Sequence, residues 1–195
     1  MKYSNFFKLI ILAIGLLSFI GCGSSSSSSP SVTESEVTKE ISRDSFDNTT
    51  GVITDETTMT MGESKETATT INISEGTQFI SSKSGEVVND IPSVKVTTTK
   101  KSKESSTTIG FETADGKKVI PTEPITASIP APAGAKTGDR VQIEVPNGIK
   151  AAKMSQKLIT VTVKLDGTIE IVIDPDQFKN QFVIRIIVEL DEATN

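Results

Sequence analysis

Apolar and polar side chains alternate with a period of two through much of the C-terminal part of the chain. Ile159, Val161, Val163 and Leu165 are separated by Thr160, Thr162 and Lys164, and Ile169, Ile171 and Ile173 by Glu170 and Val172. Such alternation sends successive side chains to opposite faces of a strand. Asp166-Gly167 between the two runs predicts a β-hairpin. A two-residue turn would pair Leu165 with Thr168 and place the two apolar sets on opposite faces. A three-residue loop, Leu165-Asp166-Gly167 with Gly167 at positive φ, sets Val163 opposite Ile169 and both sets on one face, and is the expected form.

The same pattern marks further strands. Val141, Ile143 and Val145 form one, ended by Pro146-Asn147-Gly148, and Phe182, Ile184, Ile186, Val188 and Leu190 line one face of a long final strand. Ile125, Ala127 and Ile129 form another, and its flanking Pro124 and Pro130 predict an edge position. Asp115-Gly116 predicts a hairpin between Ile109–Phe111 and Val119–Ile120. Earlier in the chain, Ile71 and Ile73, Phe79 and Ile80, and Val94 and Val96 sit among threonines, which suit strands. Val94–Thr99 can pair with Ser106–Phe111 across Lys100–Ser105. Helical signals are few: Asp174 before Pro175 predicts about one turn, and Val37 with Ile41 predicts a short helix.

Many short strands punctuated by Gly and Pro predict an all-β fold, an antiparallel β-sandwich. It resembles the immunoglobulin-like or related sandwiches in architecture only, since the Cys…Trp…Cys pattern of antibody domains is missing. Residues 37–110 hold 18 apolar side chains and residues 111–195 hold 35, so the later part has the means to build the stronger core. The expected organisation is therefore a Thr/Ser-rich β region at 37–105 and a C-terminal sandwich at 106–195. The first of these is thin sheet, is partly disordered, or pairs onto the second. A transmembrane β-barrel, with its aromatic girdles, does not suit a chain whose only aromatic residues beyond Phe19 are five Phe.

The first thirty residues follow a different plan. Met1–Lys8 carries Lys2 and Lys8, Leu9–Ile20 is uncharged and apolar, and Gly21-Cys22-Gly23 precedes six serines, Ser24 to Ser29, and Pro30. An apolar run of about 12 residues matches a signal-peptide core and is short for a membrane span of about 20. Phe19-Ile20-Gly21-Cys22 resembles the lipobox of bacterial lipoproteins: Leu, a small residue, Gly or Ala, then Cys. Gly21 and Cys22 match the two most constrained positions, while Phe19 stands in place of Leu and Ile20 is bulkier than usual. The resemblance implies a signal peptide at 1–21 cut between Gly21 and Cys22. It also implies diacylglycerol on the Cys22 sulfur and a fatty acyl chain, such as palmitate, on the new amine. One acyl chain holds a protein only marginally, but two or three on one cysteine hold it firmly. Gly23 stands where an Asp would retain a lipoprotein in the inner membrane, so the outer membrane is expected in a Gram-negative source. The alternatives are a conventional cleaved signal with Cys22 incidental, or an uncleaved anchor. Residues 22–36 read as the lipidated Cys and a Ser-rich tether reaching on the order of 20 Å.

Composition narrows the chemistry. The chain has no His and no Trp, its only Tyr is Tyr3, and its only Cys is Cys22. No internal disulfide, no Cys/His zinc site and no Ser-His-Asp or Cys-His machinery can be built from it. Beyond residue 21 it has 18 basic and 25 acidic side chains, a net charge of −7, which disfavours nucleic acid as a partner. Carboxylate pairs could cleave glycosides and Ser with Lys could make a nucleophile. No Ser-x-x-Lys occurs, however, and Ser155-Gln156-Lys157 is one residue short. Calcium could be met by Asp174 and Asp176 after a strand, or by Asp191-Glu192; nothing fixes a full ligand set, and no cofactor is expected. The expectation is a non-enzymatic structural or binding module, anchored to the membrane through Cys22 and partnered by an envelope or surface protein. An anchored carboxylate-dependent hydrolase and a calcium-stabilised adhesion module are the alternatives.

Overall fold

The computed structural model describes residues 32–145, 157–178 and 183–190. All strand pairing among them is antiparallel. The larger sheet runs β1 (Thr33–Glu40), β7 (Ser93–Lys100), β8 (Glu104–Glu112), β14 (Val183–Leu190), β11 (Arg140–Val145) and β12 (Lys157–Thr162). Beyond Gly110, which faces Val183 at the start of β14, β9 (Lys118–Pro121) pairs with the last residues of β8 and brings β6 (Phe79–Ser81) with it. The smaller sheet runs β13 (Thr168–Ile173), β10 (Ile125–Pro130), β5 (Thr69–Ile73) and β4 (Thr57–Met61). A short pair, β2 (Phe46–Asp47) with β3 (Val52–Ile53), stands apart. The chain is thus an all-β antiparallel sandwich with open sheets.

The inner faces are the alternating positions expected of half-buried strands. Cross-strand rows in the smaller sheet are Met59–Ile71–Ala127–Ile171 and Thr57–Ile73–Ile125–Ile173, all buried. The larger sheet contributes Val94, Val96, Ile109, Phe111, Val141, Ile143 and Val188 to the same core. Phe111 is its aromatic centre. Its ring lies 5.3 Å from Phe79 and 5.6 Å from Phe178, the second contact edge-on. Phe178 ends the predicted helical turn, α1 (Pro175–Phe178). Both stretches, 37–105 and 106–195, supply strands to each sheet: β5 pairs with β10, and β7 with β8.

One row of the core is polar. Ser35, Thr98 and Thr107 are cross-strand neighbours on β1, β7 and β8, and all three are buried. Thr69 of the facing sheet meets Thr98, hydroxyl to hydroxyl, at 3.4 Å. Next to this row, the Ser105 hydroxyl donates to the Pro130 carbonyl at 2.8 Å and ties the two sheets together. The hydroxyls of Ser35 and Thr107 have no hydrogen-bond partner.

Two predicted pairings hold in register. Val94 faces Phe111 and Thr99 faces Ser106. Phe111 faces Val119 across the Asp115-Gly116 turn, with Gly116 at φ 78°.

Three expectations are corrected. Val37 lies in strand β1, not in a helix, and this strand begins at Thr33, inside the stretch read as tether. Its inward positions are Ser35 and Val37, so a hydroxyl hides the period of two and leaves the Val37/Ile41 spacing looking helical.

β10 is not an edge, because it lies between β5 and β13. Pro124 precedes it and Pro130 ends it, so the missing N–H groups fall at its limits, where a ladder tolerates them.

Finally, the Leu165-Asp166-Gly167 loop forms as expected, but no hairpin follows from it. The Lys164 N–H donates to the Thr168 carbonyl (2.9 Å), the Gly167 N–H donates to the Lys164 carbonyl (3.0 Å), and Gly167 has φ 77°. Beyond that pair the strands separate. The Val163 N–H donates to Asp139 (3.0 Å), β12 joins β11, and β13 joins β10 in the other sheet. The turn is a corner of the sandwich.

Candidate functional site

Gly21 and Cys22, the expected cleavage and lipidation positions, lie outside the described residues, as do Ser155 and Asp191-Glu192. Asp174 is taken up by its own helical turn. Its N–H donates to Gln177 Oε1 at 2.7 Å and its carbonyl accepts the Gln177 N–H at 3.0 Å. Among the described residues, no group of three or more His, Cys, Asp or Glu is placed to hold a metal ion. Among the same residues, no helix is long and apolar enough to cross a membrane.

The carboxylates with shifted pKa values are engaged locally, at turns and across strands. Asp47 accepts the Thr50 hydroxyl (2.7 Å) and the Thr49 N–H (2.8 Å), which hold its pKa below the ordinary value. Asp166 accepts the Thr168 hydroxyl (2.7 Å) and N–H (3.0 Å), with the same effect. Asp115 meets Lys117 at 2.7 Å and accepts the Thr113 hydroxyl, and its pKa is lowered to about 2. These side chains are largely in water, where such pairs stabilise little.

Concave surfaces among the described residues include the following pair. The first is a groove of about 190 Å³ on the outer face of the larger sheet, lined by Lys95, Thr97, Thr108, Gly110, Glu112 and Lys118. Gly110 lies between Lys95 on β7 and Val183 on β14 and puts no side chain into the row. Around it run cross-strand ion pairs. Glu36 meets Lys95 at 2.8 Å and accepts the Thr97 hydroxyl at 3.3 Å, and Lys118 meets Glu112. The Lys95 contact lowers the Glu36 pKa, and Glu36 in turn raises that of Lys95. The groove presents ammonium, carboxylate and hydroxyl groups of mixed sign, a surface for polar contact. It was not singled out from the sequence, although the polar side of the β7–β8 alternation carries the signal.

The second is an open cleft of about 410 Å³, where the turn Ser74–Gly76 meets Glu123, Pro124 and Thr126. Glu75 and Glu123 are its acidic groups.

No protein-family model, curated protein or solved structure matches the chain. What stands is the class given by its fold, an all-β antiparallel sandwich.

Proposed function

We propose that the protein is an exported, lipid-anchored protein of the bacterial cell envelope whose sandwich is a non-enzymatic structural or interaction module. The observation that carries this reading is Cys22. It is the only cysteine, and it stands directly after Gly21 at the end of the apolar run Leu9–Ile20. In a two-membrane cell Gly23 favours the outer membrane, and the partner is another envelope or surface protein. Two further points support the reading. The carboxylates with shifted pKa values are committed to turns and cross-strand pairs. The outer face of the larger sheet offers a polar groove suited to contact.

Mass spectrometry of the mature N-terminus tests the anchor directly. The expected species begins at an acylated Cys22, and Cys22→Ser is expected to leave the signal uncut or to release the protein from membranes. An unmodified thiol on a cleaved, freely soluble protein would overturn the proposal.

A further inference from the structure

We infer that the tether end of the sandwich rests on the membrane surface, with the Leu165 tip entering the headgroup layer. This rests on the acylation of Cys22 proposed above. Eleven residue steps separate Cys22 from Thr33, so the start of β1 stays within about 40 Å of the lipid even at full extension.

Strand register shows what else lies at that end. Thr33 pairs with Lys100, and the turn at 101–103 follows. Glu104 pairs with Glu189, Leu190 with Val141, and Arg140 with Thr162, which carries the same end across the sheet to the 164–167 corner. Residues 131–139 bridge these turns. The N–H groups of Ala133 and Gly134 donate to the carbonyls of Lys101 (3.0 Å) and Ser102 (2.9 Å), and the Thr137 hydroxyl donates to that of Lys164 (3.4 Å).

The chemistry of this end differs from that of the chain as a whole. Leu165 is 93% exposed, the highest value among the exposed large apolar side chains, and Val32 beside the tether is 57% exposed. A lone exposed apolar residue is ordinary; these two lie at opposite edges of the end at which β1 begins. The segments 101–103, 131–140 and 164–167 carry Lys101, Lys103, Lys136, Arg140 and Lys164 against Asp139 and Asp166. With Lys100, Glu34, Glu104 and Glu189 on the strand ends beside them, the charges at this end are near balance in a chain that is net negative. Lys101 and Lys164 also reach Glu104 and Glu170 on the strands behind them. Long lysine and arginine stems with charged heads beside an apolar tip suit the headgroup layer of a bilayer. β1 and β12 are five strand spacings apart, roughly 24 Å. Contact at both edges would fix the tilt of the module as a single tether cannot.

The test uses the full lipidated chain in vesicles of phosphatidylethanolamine and phosphatidylglycerol. Acylation occupies the Cys22 sulfur, so Leu165→Cys offers one thiol for a fluorescent label. Glu75→Cys, in the turn at the opposite end of β5, is the control. A lipid-borne quencher is expected to remove most of the emission from the label at 165 and little from that at 75. Equal quenching at both positions, with Cys22 acylated in the same sample, would overturn this inference and leave the anchor standing. An unacylated Cys22 would remove both. Shielding of position 165 that needs added envelope proteins, and does not occur on protein-free vesicles, would assign the tip to a protein and also overturn it.

Discussion

Thr107 is a residue whose side chain works against its surroundings. Its hydroxyl is buried with no partner, and a buried, unsatisfied polar group costs about 1–3 kcal/mol. Thr107→Val keeps the shape and is expected to stabilise the fold by about 1 kcal/mol, read as a higher urea midpoint with unchanged slope. Ser105→Ala, two residues away, is expected to do the reverse by a similar amount, because it breaks the bond to Pro130. Nothing in the sequence separates these hydroxyls from the exposed ones of Thr58 or Thr60, because the distinction arises only when two sheets face each other. At the surface, Asp115 makes a small, acid-sensitive contribution to stability. Its pKa is about 2 when folded and 3.8 as the ordinary value. Its contribution is therefore complete above about pH 4 and lost as the pH falls toward 2. Asp115→Asn is expected to lower the melting temperature slightly at pH 7 and to flatten its fall over that window by the same small amount.

At the scale of elements, α1 is four residues long and is held by its burial, since so short a helix has little stability of its own. Phe178 closes the aromatic chain with Phe111 and Phe79. Phe178→Ala is expected to cost about 3–5 kcal/mol and to raise amide exchange in β9 beside it. The turn chemistry was legible: Asp115-Gly116, Asp166-Gly167 and Asp174-Pro175 each do locally what the residues predict. Strand partners were legible only where both strands are neighbours in sequence and in one sheet, as with β7 and β8. The Asp166-Gly167 loop has the expected shape, yet its strands leave for different sheets, because partners from β11 and β10 are available to them. Local sequence encodes a turn; it does not encode which distant backbone will claim the strands beyond it. For the candidate site the position is reversed. Gly21 and Cys22 were singled out from the sequence and lie outside the described residues, whereas the groove at Gly110 emerges only from the pairing of β7, β8 and β9.

For the whole molecule, one core cluster runs from Ile41 to Val188 and draws on both stretches of the chain. Unfolding is expected as a single transition, with far-UV circular dichroism and an exchange-based probe of β5 coinciding. A separate early transition for residues 37–105 would contradict this. The place of β1 has a mechanical consequence. Among the described residues it is the first strand and lies at a sheet edge, and all eight of its residues pair with β7. For a chain held at Cys22, a pull on the module runs lengthwise along β1. The ladder is then loaded in shear, with its bonds sharing the force at once, and does not open one rung at a time. The strand nearest the anchor would serve as a tension-bearing splice between the lipid and everything folded beyond it.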